Sequence, residues 1–152
     1  IGSDRVSDAI AARELFGCPV VVVDFGTATN IEVIDGAGRF VGGVIAPGIT
    51  TGSQALFQNA TQIAVTGVGV VDSVIGKSTA EAVKSGVVFG EVGRVDGLVE
   101  RIFEEMGGAC PVVATGGLVH TIGGLCRHIT NICPELTLDG LRILSEHVEG
   151  QE

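Results

Sequence analysis

The stretch Val20-Val-Val-Val-Asp-Phe-Gly-Thr-Ala-Thr29 decides the fold class. Four consecutive β-branched residues, Val20 to Val23, predict a strand buried on both faces, and Asp24 and Gly26 end the run abruptly. A carboxylate directly after a buried strand is costly unless it is paired or binds a cation. Gly26 lets the backbone turn tightly beside whatever Asp24 holds. Thr27 and Thr29 add hydroxyls, and the N–H groups of this turn are suited to face a phosphate. A strand followed by an ordinary polar turn is the other reading of the same ten residues.

Around this stretch the composition narrows the classes. A chain of 152 residues with 45% apolar content predicts one domain with a sizeable core. Nine Lys and Arg against 18 Asp and Glu leave a net charge of −9 with no long run of either sign, which disfavours nucleic acid or an anionic membrane as partner. Cys18, Cys110, Cys126 and Cys133 lack C-x-x-C spacing and lie in apolar surroundings, so they read as reduced, buried thiols of a cytoplasmic protein. No apolar run reaches the ~20 residues of a membrane span, and the first residues form no signal sequence. The 24 glycines recur at element ends and inside helices, where they mark tight turns and close packing.

Upstream, residues 1–17 read as a helix with Val6, Ala9 and Ile10 on one face and Gly17 as the stop. Asp4 at its start is a first-turn carboxylate favoured by the helix dipole, if nothing more. Arg5 opposes that dipole, which points either to an anionic partner or to a solvated side chain.

Downstream, Asn30–Asp35 alternates as a half-buried strand, Gly36–Gly38 turns, and Arg39–Ile45 forms a third strand whose Gly42 and Gly43 imply a bulge or a close backbone approach. An antiparallel meander results. Pro47-Gly48 ends it, and Ile49–Ala60 reads as a modest helix before an irregular crossing to Val74.

Gly76-Lys-Ser-Thr79 evokes a P-loop, but the motif's first glycine would fall on Val71, so the P-loop is rejected and Thr79 becomes a helix N-cap. Two helices in succession follow, the second carrying Val92, Val95, Val99, Ile102 and Met106 at spacings of three and four. Gly86, Gly90, Gly93 and Gly97 each cost about 1 kcal/mol against Ala, so their run implies close helix approach within the subunit or across a dimer contact.

Pro111–Ala114 is a second buried strand, and Thr115-Gly-Gly-Leu-Val119 turns from it into a short helix. This repeats the design at Asp24: a buried strand running into a small polar turn whose N–H groups are suited to a nucleotide. Ile129–Cys133 is a last strand and Thr137–Leu144 a last helix. His120, His128 and His147 share no ligand spacing and read as ordinary polar residues.

In order, Gly2-Ser3-Asp4-Arg5, Asp24-Phe25-Gly26-Thr27-Ala28-Thr29, Gly42-Gly43-Val44-Ile45-Ala46-Pro47-Gly48, Gly76-Lys77-Ser78-Thr79, Val95-Asp96-Gly97-Leu98, Thr115-Gly116-Gly117 and Leu136-Thr137-Leu138-Asp139-Gly140-Leu141-Arg142 make the chain resemble the type III pantothenate kinases. That family lies in the acetate and sugar kinase, Hsc70 and actin superfamily. The resemblance implies transfer of the γ-phosphoryl of ATP, with Mg2+, to the primary hydroxyl of pantothenate, the first step towards coenzyme A. By it Asp4 matches the general base, and Gly2, Ser3, Asp4 and Arg5 match the pantothenate loop, with Arg5 suited to the substrate carboxylate. Thr79 matches a further substrate contact. Asp24 matches a ligand of the activating monovalent cation, K+ or NH4+. Gly26 and Thr27 match the ATP-phosphate turn, and Thr115, Gly116 and Gly117 the adenosine-side turn. A homodimer is expected. Phosphoryl transfer needs mainly positioning, charge neutralisation and a base for the hydroxyl proton, and these residue types supply them.

The chain departs from the family pattern at Ser3, where alanine is usual, and at Ser78, where asparagine is usual. The family's Asp-x-Gly-Asn-Thr phosphate loop is absent, the only Asp-x-Gly-Thr being that at Asp24. The chain therefore resembles the C-terminal lobe of a two-lobe kinase, beginning at the catalytic loop, and by itself is expected to be inactive and prone to associate. The expected fold is an α/β, ribonuclease H-like or actin-like ATPase lobe: a mixed sheet of an antiparallel meander plus crossover strands, with helices on its faces. The alternative function is that of a non-catalytic relative, a regulatory or binding protein.

Overall fold

The computed structural model describes residues 2–58 and 71–149. The elements run α1 (Ser3–Phe16), β1 (Val20–Phe25), β2 (Ala28–Ile34), β3 (Phe40–Pro47), α2 (Ile49–Gln58), α3 (Thr79–Met106), β4 (Val112–Thr115), α4 (Val119–Ile122), a short 3-10 turn, β5 (Asn131–Ile132) and α5 (Leu136–Glu149). The sheet order is β3-β2-β1-β4-β5. β1 pairs antiparallel with β2, which pairs antiparallel with β3, while β1 and β4 are parallel, as are β4 and β5. Parallel neighbours need a crossover, and α3 supplies it between β3 and β4. The expected mixed sheet with a leading meander is what forms.

Val20 to Val23 are fully buried because helices cover both faces of β1. Val21, Val23 and Phe25 pack with Ile49 of α2, with Val88, Val92, Val95 and Val99 of α3, and with Val119 and Ile122 of α4. Val20 and Val22 point the other way, onto Ala9, Ala11 and Ala12 of α1 and onto Leu136 and Ile143 of α5. The result is a three-layer α/β/α lobe.

Several local expectations are corrected. The buried face of α1 is Ser7, Asp8, Ala9, Ala11 and Ala12; Val6 is exposed, because α5 covers the adjacent side of the helix. β2 is not half-buried: Ile31, Glu32, Val33 and Ile34 are all buried, since α1 lies over the face that alternation assigned to solvent. The bulge is real and falls between Val33 and Ile34, where Val33 pairs with Gly42 but Ile34 with Phe40.

The region after Thr79 is one continuous helix of 28 residues, not two. Val88, Val92, Val95 and Val99 keep a single buried stripe across the glycines, and packing outweighs the ~1 kcal/mol that each glycine costs. The N-cap is Ser78, whose Oγ accepts the Glu81 N–H at 3.2 Å, while the Glu81 carboxylate accepts the Lys77 N–H at 2.7 Å. Thr79 is therefore the first helical residue. A Cβ added at Gly86, Gly90, Gly93 or Gly97 would meet nothing within 4 Å, so these glycines serve no close approach inside the described chain. Close helix packing occurs at Gly140 instead, where a Cβ would come 2.0 Å from the Ser7 carbonyl oxygen.

Of the cysteines only Cys126 is buried; Cys18 is exposed, Cys110 and Cys133 are half-buried, and all are free. The last strand is shorter than expected, Asn131–Ile132, and the last helix longer. The crossing expected over 61–74 lies outside the described residues up to position 70. No helix among the described residues is long and apolar enough to cross a membrane.

Candidate functional site

The chain reverses between α1 and β1, so the start of the helix returns to the end of the strand. Fourteen helical residues and six extended ones both span roughly 20 Å, which brings Asp4, in the first turn of α1, to the end of the layer where Asp24 closes β1. The electrostatics agree. Burial raises the pKa of Asp24 above the ordinary carboxylate value, and the charge of Asp4 raises it further.

Asp8, one turn beyond Asp4, is buried and accepts a 2.5 Å hydrogen bond from the Thr137 hydroxyl of α5. Burial pushes its carboxyl up to about 6 against that hydrogen bond, and the charges of Asp24 and Asp4 add to the rise. Glu32 of β2, fully buried, is pushed up to about 7 by burial; the Arg5 hydrogen bond and charge oppose this, while Asp8 and Asp24 reinforce it. Arg5 Nε donates to Glu32 Oε1 at 2.8 Å, and the guanidinium carbon stands 5.6 Å from the centre of the Phe40 ring. Asp4, Asp8, Asp24 and Glu32 thus lie near enough that charge on one raises the carboxyl of another, and among the described residues Arg5 is the cation paired with Glu32. Ser3 closes the group, its Oγ donating to Asp4 Oδ1 at 3.3 Å.

The turn after β1 is tied down from several sides. Gly26 N–H donates to the Ala28 carbonyl at 3.1 Å, so that donor is already used. The Thr27 carbonyl accepts from Gly48 N–H at 3.1 Å and from the Thr51 hydroxyl at 3.0 Å, leaving the Thr27 side chain exposed at the tip. Position 48 has to be glycine, because a Cβ there would come 2.4 Å from the Thr27 oxygen.

Beside this turn lies the one after β4. Thr115 pairs with Asp24 across the parallel strands and is buried, its hydroxyl donating to the Pro134 carbonyl at 3.4 Å. Gly116 follows with φ +98°, and a Cβ there would stand 2.4 Å from Asp24 Oδ1 and 2.6 Å from the Phe25 carbonyl oxygen. Leu118 N–H donates to that same Phe25 carbonyl at 3.2 Å. The two polar turns predicted separately therefore meet at the carboxyl ends of adjacent parallel strands, where α/β sheets place their ligands.

Thr79 lies in an open groove of about 630 Å³ between α2 and α3, lined also by Gly48, Ile49, Leu56, Val83 and Arg94. Gly48 touches both this groove and the Thr27 turn, which connects Thr79 to the turn after β1. Gly2 is exposed ahead of α1, and Gly117 is exposed beyond Gly116.

Reading the sequence missed the polar groups behind these residues. Thr29, buried on β2, donates to Glu91 Oε1 of α3 at 2.5 Å. Glu91 also pairs with Arg94, which donates to the Pro47 carbonyl at 2.6 Å, so one chain of contacts ties the ends of β2 and β3 to α3. Their signal was a carboxylate at 91 directly before Val92 in the apolar stripe. Asp96 accepts the N–H groups of Arg127 at 2.9 Å and His128 at 3.3 Å, anchoring the loop before β5.

Asp24 Oδ1 and the Phe25 carbonyl oxygen, both hard oxygen donors, lie together against Gly116. Among the described residues no three His, Cys, Asp or Glu side chains converge as a metal-binding group.

Comparison with known proteins finds the family model described as type III pantothenate kinase over residues 1–101. A type III pantothenate kinase from Acidiphilium cryptum is 46% identical over 145 residues, covering 95% of this chain and 54% of the relative. One from Koribacter versatilis is 44% identical over 146 residues, covering 96% and 53%. The chain spans about half the length of the curated relatives it matches. Among solved structures, one described as a Baf family transcriptional activator from Campylobacter jejuni matches with a TM-score of 0.70 at 22% identity, covering 99% of this chain and 66% of that one. The activator of 2-hydroxyisocaproyl-CoA dehydratase from Clostridium difficile, solved with bound ADPNP, matches with a TM-score of 0.58 at 16% identity, covering 97% and 68%. These likenesses show a shared fold.

Proposed function

The chain belongs to the type III pantothenate kinase family, and from that premise we propose that it is the C-terminal lobe of an enzyme phosphorylating pantothenate at its primary hydroxyl with ATP. What supports the reading is that the first turn of α1 brings Asp4 close enough to Asp24 for its charge to raise the Asp24 carboxyl. In this reading a base on the first turn of a helix stands near a carboxylate at the end of a buried strand, the arrangement a hydroxyl attacking a phosphoryl group needs.

In this reading Asp4 accepts the hydroxyl proton as the oxygen attacks the γ-phosphorus. Gly2, Ser3 and Arg5 hold pantothenate, with Arg5 on its carboxylate, and Thr79 contacts it from the groove. Gly26 and Thr27 shape the turn that faces the phosphates, the Gly26 N–H holding the turn itself and Thr27 carrying the exposed hydroxyl. Thr115, Gly116 and Gly117 face the adenosine side. Asp24 and the Phe25 carbonyl would hold K+ or NH4+, and ATP would bring Mg2+; both ions neutralise phosphate charge. The acidic surroundings at Asp24, with Asp4 and Asp8 nearby, are what a bound cation would relieve.

The remaining assignments follow the same reading. A homodimer through the bare glycine face of α3, a cytoplasmic location, and no nucleic acid or membrane partner fit a small-molecule kinase with a net charge of −9. The other half of the phosphate clamp lies in an N-terminal lobe carrying Asp-x-Gly-Asn-Thr. Each missing charge-assisted contact forfeits roughly 1.5–3 kcal/mol, so the lobe alone should not turn over.

The test is pantothenate-dependent release of ADP by a two-lobe protein containing this chain, with the 152-residue chain assayed alongside. Turnover in the first and none in the second is expected. ATP hydrolysis indifferent to pantothenate would overturn the substrate, and equal turnover by the single lobe would overturn the division of labour.

A further inference from the structure

We propose that Glu32 is a positioning residue, holding the Arg5 guanidinium in one orientation so that its two terminal amino groups meet the carboxylate of the acidic substrate. The inference rests on the reading above that Arg5 binds that carboxylate.

Arg5 stands in the first turn of α1, where a cation opposes the helix dipole. Left to itself its side chain would turn to solvent, yet only 19% of it is exposed. Three contacts fix it. Nε donates to Glu32 Oε1 at 2.8 Å, the guanidinium carbon stands over the Phe40 ring 5.6 Å from its centre, and Nη2 passes so close to Gly43 that a Cβ there would stand 3.2 Å away. Among the described residues the hydrogen bonds of Arg5 use Nε alone, which leaves the Nη1 and Nη2 edge to form the paired bonds that arginine makes with a carboxylate.

Glu32 itself is poorly placed if stability is its purpose. It is fully buried, and its Oε2 has no hydrogen-bond partner among the described residues. A buried ion pair with an orphaned oxygen is often no better for stability than apolar residues of the same volume. What the pair does supply is a fixed direction for Arg5, since an acceptor on a rigid strand reaches a donor on a helix across 27 positions of sequence.

The experiment measures kcat and KM of the two-lobe protein for pantothenate and for its neutral carboxamide, in wild type, Arg5→Met, Glu32→Leu and Glu32→Gln. Wild type is expected to prefer the carboxylate, and Arg5→Met to erase the preference. Glu32→Leu should raise KM for pantothenate about tenfold, with kcat and the carboxamide KM within about twofold of wild type, because only the orientation of Arg5 is lost. Glu32→Gln keeps an acceptor for Nε and should rescue most of the loss, leaving KM about threefold raised. It also serves if Glu32→Leu fails to fold. Preference erased by Arg5→Met but untouched in both Glu32 variants overturns this inference and leaves the Arg5 assignment standing. No effect of Arg5→Met on the preference overturns that assignment and this inference with it.

Discussion

A Cβ built on Gly116 would stand 2.4 Å from Oδ1 of Asp24, so the turn after β4 closes directly over the carboxylate that ends β1. With φ at +98°, position 116 also has a backbone that side chains rarely adopt. Gly116→Ala is therefore strained twice, by conformation and by contact. It should destabilise the lobe by about 1–3 kcal/mol and displace Asp24. Chemical denaturation checks the first effect, and a denaturation midpoint equal to wild type would show that the turn does not press on Asp24.

Asp24→Asn keeps the size of the side chain and removes its charge. If Asp24 holds the monovalent cation, the variant should lose its dependence on K+ or NH4+ in the two-lobe protein, while Asp4→Asn should keep that dependence on a much lower rate. The check is a salt titration of the rate at constant ionic strength. An unchanged response in Asp24→Asn would remove Asp24 from the cation site.

Burial raises Glu32 from 4.5 to about 7 and Asp8 from 3.8 to about 6. The folded chain thus holds protons that the unfolded chain releases, so what each group contributes to stability is full below its unfolded pKa and is lost as the pH rises through its folded value. Relative to wild type, Glu32→Gln should gain stability between about pH 5 and pH 8, by at most roughly 3 kcal/mol at one pKa unit per ~1.4 kcal/mol. Thermal unfolding of both proteins across that range measures the difference. A difference that shrinks with rising pH would reverse the sign and sink the claim.

How far the sequence reached is clearest at particular residues. Val20 to Val23 announced a strand covered on both faces because a run of β-branched residues has no solvent side, and the structure covers both. The two polar turns were visible because glycine follows a buried strand in each, although only the parallel pairing of Asp24 with Thr115 brings them together. Glu32 was illegible. Between Ile31 and Val33 a carboxylate looks like the solvent face of an alternating strand, and nothing local says that α1 lies over it. Glu91 was hidden likewise, because its partner Thr29 is 62 residues away. The single helix α3 escaped because helix propensity weighs glycine locally, whereas the buried valine stripe acts over the whole 28 residues.

The central claim is that Asp4, brought to the end of β1, is the base that takes the pantothenate proton. It is tested most directly by kcat of Asp4→Asn in a two-lobe protein containing this chain, with pantothenate and ATP saturating. The account predicts a fall of ~10²–10⁴-fold with an unchanged unfolding midpoint, the range a positioned base contributes. A kcat within about threefold of wild type would contradict it, leaving Asp4 as a first-turn carboxylate serving its own helix.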